Sequence, residues 1–149
     1  MSPPIKLRAD DVEDLRVIAA CLQDAIVPIA EMAFLPEQTR FVMVTNRFMW
    51  EAAGLGGGQA PVPYQRTNSV FSVLGVSQVR RRNLDLMDRG LVLNLLTVLS
   101  DAEGLTLVFA GRSSIQLVAN PWRCFVEDIG EPWSTGAIPS HRFEDDEEA

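Results

Sequence analysis

A chain of 149 residues, 47% of them hydrophobic, suits one cooperative unit with a core of ordinary size. Its formal net charge of −7 would argue against a polyanion partner, but five of the 20 acids sit together at 144–148 and the other 15 nearly balance the 13 bases. No apolar stretch approaches the ~20 residues that cross a bilayer. The first residues lack the apolar core of a secretory leader, and two cysteines, Cys21 and Cys124, read as free thiols of a reducing compartment, so a cytoplasmic location is expected.

Asp10 and Glu13, three residues apart, form a capping-box-like start for a helix over 11–23, in which Val12, Leu15, Ile18, Ala19 and Leu22 recur at helical spacing. From 25 to 34 apolar residues alternate as in a strand, and Pro28, which has no amide to donate, predicts an edge position. Pro36 to Thr39 reads as a turn that joins this strand to the β-rich run 41–50 in a hairpin. Residues 52–65, rich in glycine and proline, read as a long flexible loop. The alternation over 69–81 is long for one strand, with Gly75 a candidate bulge. The run 91–99 fits strand or buried helix and strand is favoured, after which 105–110 and 114–119 continue a meander.

Asn120-Pro121 supplies a helix cap with proline at the first helical position, and Gly130 a stop. Together they predict a short helix over 121–129 that buries Trp122, Phe125, Val126 and Ile129. One helix, about six strands and a closing helix do not alternate as βαβ units do. The expected class is therefore α+β, a single domain over 1–143 built on a curved antiparallel sheet of about six strands with an N-terminal and a short C-terminal helix. A disordered acidic tail follows at 144–149. A strongly bent version, its last helix plugging one end, would be a pleckstrin-homology-like barrel.

Candidate chemistry is sparse. The cluster Gly54, Gly56, Gly57 and Gly58 offers amides to an anion, but it leads into Gln59-Ala60-Pro61 rather than into a lysine, a hydroxyl residue and a helix, so it reads as a connection. Arg80, Arg81 and Arg82 can hold phosphate or carboxylate. In a strand Arg80 and Arg82 share one side and Arg81 takes the other, and a solvated strand end is the plainer reading. Asp10, Asp11, Glu13 and Asp14 could bind a hard cation, yet their place in a first helical turn already explains them.

The lone histidine, His141, and two distant cysteines assemble no histidine- or thiolate-rich zinc site, and nothing local orients a Cys124–His141 pair for nucleophilic chemistry. No cofactor and no catalytic residue is expected. Trp133, in Gly130-Glu131-Pro132-Trp133-Ser134, either folds back onto the sheet or presents a contact. Exposed aromatics interleaved with a basic groove, the mark of single-stranded nucleic-acid binding, are not evident.

The segments Leu7-Arg8-Ala9-Asp10, Glu13-Asp14-Leu15, Leu22-Gln23-Asp24-Ala25, Arg40-Phe41, Asn46-Arg47-Phe48, Trp50-Glu51, Leu105-Thr106-Leu107, Phe109-Ala110-Gly111 and Asp128-Ile129-Gly130-Glu131-Pro132-Trp133 carry a resemblance in their order and spacing. The chain resembles a family of short bacterial proteins classed as a domain of unknown function, over nearly its whole length except the acidic end. The resemblance implies no activity and carries over no catalytic residue. The expectation is a non-catalytic binding or adaptor module that meets a protein partner or a second copy through an edge strand or a sheet-face groove, with Trp133 a candidate contact. The alternative is a small-molecule or phosphorylated-ligand binder, or an enzyme, that uses Arg80 or Arg82 with Arg47 or Asn46 on one sheet face. Nucleic acid ranks last and no membrane is expected.

Overall fold

The computed structural model describes residues 4–52, 64–136 and 139. Along the chain run β1 (Lys6–Ala9), α1 (Val12–Cys21), β2 (Ala25–Pro28), β3 (Met32–Leu35), β4 (Arg40–Phe48), β5 (Tyr64–Arg82), β6 (Val92–Asp101), β7 (Gly104–Phe109), β8 (Ser113–Asp128) and β9 (Trp133–Thr135). Six strands follow one another in the order β5-β4-β2-β6-β7-β8, and β8 pairs back onto β5, which closes an antiparallel barrel. β1 extends the ring beside β8, β3 beside β4, and β9 beside β5.

The length of two strands makes closure possible. β5 runs 19 residues and pairs with β4 along 66–74 and with β8 along 69–82, while β8 runs 16 residues and meets β7, β1 and β5. Strands this long bend around a core only if the ladder slips somewhere. The register of β5 on β8 shifts on both sides of Val76, beside Gly75, whose φ is +88°. A Cβ on Gly75 would stand 2.5 Å from Pro121 O, and the amides of Gly75 and Val76 both donate to Thr39 O at 2.9 Å. The expected bulge is therefore present and needs glycine for two separate reasons, the backbone conformation and the space.

Two expectations about architecture are corrected. Among the described residues 61% are strand and α1 is the one α-helix, and the sheet is closed rather than open, so the α+β sheet with two helices is not the fold. Residues 121–129 form no helix, because 121–128 complete β8. Cys124 and Val126 point into the core and Arg123 and Glu127 outward, in a strict alternation held by β1 on one side and β5 on the other. A period of two fits Trp122, Cys124 and Val126 as well as a helical period fits Trp122, Phe125 and Val126, and the flanking strands decide between them. The Asn120–Pro121 bond is cis and lies within the strand. The pleckstrin-homology-like alternative required the same helix as its plug.

The segment 25–34 is two strands rather than one. β2 is interior to the ring, between β6 and β4, and Pro28 closes it opposite Val92. After a 3₁₀ turn at Ile29–Glu31 the chain re-enters as β3, which pairs only with β4 and forms the edge. The hairpin around Pro36 to Thr39 is as expected, with Leu35 opposite Arg40 and Met32 opposite Met43. The first helix starts one residue later than the capping box implied: Asp14 N donates to Asp11 Oδ1 at 2.9 Å, so Asp11 is the cap. Its Leu15, Ile18 and Leu22 are buried in the common core, where α1 packs beside β1 and β6. The run 91–99 is strand from Val92 onward, as part of β6. The glycine cluster at 54–58, His141 and the tail at 144–149 lie outside the described residues.

Gly75→Ala is expected to destabilise the protein by about 1–3 kcal/mol, the usual cost of forcing a side chain into a left-handed backbone with no room for it. The measurement is the urea midpoint at unchanged slope. A shift worth less than ~0.5 kcal/mol would show that the bend does not depend on this residue.

Candidate functional site

Inward-facing positions of β4, β5 and β8 are apolar along most of the barrel and polar at one end. Thr45 and Arg47 on β4 and Thr67 and Ser69 on β5 are all buried, and Asp128 ends β8 beside them. The Arg47 side chain has no solvent exposure. Its Nε and NH2 donate to the two oxygens of Asp128 at 2.9 and 2.8 Å, and its NH1 and NH2 donate to the two oxygens of Glu51 at 3.0 and 2.8 Å. Asp128 also accepts from Ser69 Oγ at 2.5 Å and from Ile5 N at 2.9 Å. Planar bidentate pairing on both edges saturates the guanidinium.

Burial works against the charge of Arg47, but its hydrogen bonds to Asp128 and Glu51 outweigh that and hold its pKa above the ordinary value. Burial likewise disfavours the Asp128 carboxylate, yet the bonds from Arg47, Ser69 and Ile5 keep it below the usual carboxylate value. With every donor of Arg47 and both oxygens of Asp128 engaged, this cluster is a brace between strands rather than a docking point. Arg47, named from the sequence as a ligand contact, is thereby accounted for structurally.

The other named residues fall at two places. Asn46 accepts from Arg66 NH1 through both its side-chain and its backbone oxygen, at 2.9 and 3.0 Å, and Arg66 stands opposite Trp133 in the β5–β9 pair. Trp133 thus folds back as a strand while its side chain stays 39% exposed. Arg80 and Arg82 lie far along β5, opposite Gln116 and Ser114 of β8, with Arg81 opposite the buried Ile115. The alternation is unbroken there, so Arg80 and Arg82 share the outer face as expected. Arg47 sits opposite position 67 and faces inward, so the structure does not bring Arg80 or Arg82 together with Arg47 or Asn46.

A cleft of about 400 Å³ is lined by Arg80, Arg81, Arg82, Thr106, Ser114 and Gln116. Arg80 reaches Gln116 Oε1 and Gln78 Oε1 at 3.4 Å and lies 3.7 Å from Glu103. Among the described residues Arg81 and Arg82 have no ion pair, nor has exposed Arg112 in the turn between β7 and β8. That turn is tied to Arg82's neighbour, since Asn83 Nδ2 donates to Gly111 O at 3.2 Å and Ser113 Oγ donates to Asn83 O at 2.8 Å. The acids that follow, Asp85 and Asp88, accept from the loop's own amides at Met87 and Gly90. A shallow apolar groove adjoins the cleft, walled by Leu84, Leu91, Val92 and Ala110. Arg112 and this groove carry no signal in the sequence, because a turn residue and a barrel rim become neighbours only on closure.

Other candidates reduce to structure. Asp10, Asp11 and Asp14 bring carboxylates within 4.8 Å of one another, but Asp11 is the helix cap and Asp10 lies 3.9 Å from Arg123. Burial pushes the Cys124 thiol up to about 12, with Asp10 acting in the same direction, so it is no ready nucleophile. Cys21 is also raised, chiefly by burial against the counteracting charge of Arg47. Both cysteines are free. Among the described residues no helix is long and apolar enough to cross a membrane.

Fold and site together define a small closed antiparallel barrel, braced inside by an arginine–carboxylate network and bearing a cationic outer face. The chain belongs to the family described as a protein of unknown function (DUF2948), whose model matches residues 5–141. No curated protein and no solved structure matches it.

Removing one member of the brace leaves an uncompensated buried charge, so Arg47→Met is expected to destabilise the barrel by about 3–5 kcal/mol in urea titration. A loss under ~1 kcal/mol would mean that the apolar core holds this end unaided. Asp128 titrates lower in the folded than in the unfolded chain, so its contribution is complete above the unfolded value of ~3.9 and fades as pH falls toward the folded one. Asp128→Asn should therefore flatten the acid side of the stability profile, measured by thermal melts between about pH 2 and 7.

Proposed function

We propose that the protein is a non-catalytic binding module of the cytoplasm that holds a carboxylate-rich segment of a protein partner on the outer face of β5, β7 and β8. One observation carries this reading: Arg82 on that face and Arg112 at the adjoining turn are exposed and have no ion pair among the described residues, beside a cleft also lined by Arg80, Thr106, Ser114 and Gln116. Guanidinium forks bind carboxylates in a planar, two-point manner, and a row of them on a rigid sheet loses little freedom in doing so. The adjoining apolar groove, with Val92 56% exposed, suits a large apolar side chain next to the acids. A nucleic acid would instead want a ring on which to stack a base. The large exposed aromatic among the described residues, Trp133, stands at the opposite end of β5. Two free thiols suit a reducing compartment.

The probe is a fluorescein-labelled peptide of one phenylalanine followed by five glutamates, titrated against the full chain by fluorescence anisotropy. Saturable binding is expected, weakening as salt rises from about 50 to 300 mM because the contacts are exposed ion pairs. In the double variant Arg80→Glu, Arg82→Glu affinity should fall at least about tenfold, while Arg16→Glu on α1 leaves it unchanged. Equal binding by both variants would place the contact elsewhere and refute the proposal.

A further inference from the structure

The face just described has a second candidate occupant within the same molecule. Pro139, the last described residue, borders a groove with Ile26, Arg66, Val92 and Asn94, on the outside of β2 and β6. Val92 and Asn94 also line the apolar groove that runs past Ala110 and Ser113 to Asn83 and Leu84. The two grooves share Val92 and Asn94 of β6, and the second includes Asn83 and Ser113, the chain neighbours of Arg82 and Ser114. The rim between is short. Ala110 N donates to Asn94 O at 2.9 Å and Ser113 Oγ donates to Asn83 O at 2.8 Å, so the path from β6 to β5 crosses only β7 and β8. At the usual ~4.8 Å between strands this is about 14 Å.

Ten residues follow Pro139: Ser140, His141, Arg142, Phe143, then Glu144, Asp145, Asp146, Glu147 and Glu148, and finally Ala149. An extended chain covers at most about 3.3–3.6 Å per residue, which puts Phe143 within about 13 Å of Pro139 and the five acids within about 17–32 Å. The reach matches the path in order as well as in length. An extended chain from Pro139 is long enough for Phe143 to reach the apolar groove of Leu84, Leu91 and Val92 and for the acids to reach Arg82, Arg112 and Arg80.

We propose that the segment Phe143 to Glu148 docks in cis across this face, Phe143 in the apolar groove and the acids on the arginines, and so competes with an acidic partner. The inference rests on the binding reading above and adds its regulation. Tethering gives the segment a millimolar local concentration, so even a weak contact is occupied much of the time and a partner must displace it.

The test compares three full-length chains with the same probe peptide. They are the native chain, a chain with Glu144→Gln, Asp145→Asn, Asp146→Asn, Glu147→Gln and Glu148→Gln, and a chain with Phe143→Ser alone. Docking predicts that the neutralised chain binds the probe roughly tenfold more tightly than the native one, and that Phe143→Ser, which leaves the charge untouched, also tightens it severalfold. Amide NMR signals of Arg80 to Arg82, Val92 and Ser114 should shift in both variants relative to the native chain. A gain on neutralisation with none for Phe143→Ser, and no shifts at those amides, would mean diffuse repulsion of the probe and overturn docking. Equal affinity of all three chains would overturn it while leaving the binding reading intact, whereas no binding by any chain would remove both. Sedimentation of the native chain is expected to show a monomer. A dimer that dissociates on neutralisation would assign the segment to a second copy and overturn the cis arrangement.

Discussion

The closed barrel depends on where Asp128 points. As the last residue of β8 it faces inward to meet Arg47 of β4 and Ser69 of β5, and it takes the amide of Ile5 just before β1. Side chains alternate along a strand, so a one-residue slip of β8 would turn Asp128 to solvent and leave Arg47 with Glu51 alone. A buried ion pair is a poor source of net stability, because desolvation of both partners consumes most of its attraction. Its value here lies in selection among registers. A two-residue slip would keep Cys124 and Val126 on the core face among apolar neighbours, whereas it would take Asp128 away from Arg47. The brace therefore sets the register at the end of the barrel where the chain's first and last paired strands, β1 and β9, attach.

From that register the position of the arginine run follows. β4 begins at Arg40 opposite Leu74, where its ladder with β5 stops, and beyond Gly75 the strand β5 pairs with β8 alone. The distal part of β5 is thus an edge, with backbone groups open to a further strand, and positive charge on an edge deters such pairing. Edge protection accounts for charge at these positions. It does not account for three consecutive arginines with Arg112 at the adjoining turn, where a single lysine would deter pairing as well. The surplus positive charge raises the local potential, and this is the physical basis of the acidic partner proposed above.

Much of this was legible in the sequence where local chemistry dominates. The hairpin around Pro36 to Thr39, the bulge at Gly75, the strand at 91–99 and the alternation of Arg80, Arg81 and Arg82 each follow from a few adjacent residues. The errors arose where long-range pairing outweighs local preference. Asn120-Pro121 followed by Trp122, Phe125 and Val126 reads as a capped helix until β1 and β5 are placed on either side of it. Pro28 reads as an edge marker, but as the last residue of β2 it ends the strand without interrupting it. Closure itself has no local signature, since it consists of one pairing, β5 on β8, between segments some forty residues apart. The brace was invisible for the same reason. Asn46-Arg47-Phe48, Trp50-Glu51 and Asp128-Ile129 were all singled out as carriers of family resemblance, yet their meeting depends on that closure.

The molecule keeps its two arginine clusters apart both in position and in character. Arg47 is buried, saturated and turned inward at the start of the β4–β5 ladder, while Arg80, Arg81 and Arg82 are exposed at the far end of β5. A site that binds and releases needs donors that are free to exchange partners, and a register lock needs donors that are not. Placing both in one cluster would make stability depend on occupancy. Under the proposed binding role, their separation would let the outer face be filled and emptied while Arg47 keeps its bonds to Asp128 and Glu51, and the bulge at Gly75 lies between the two clusters.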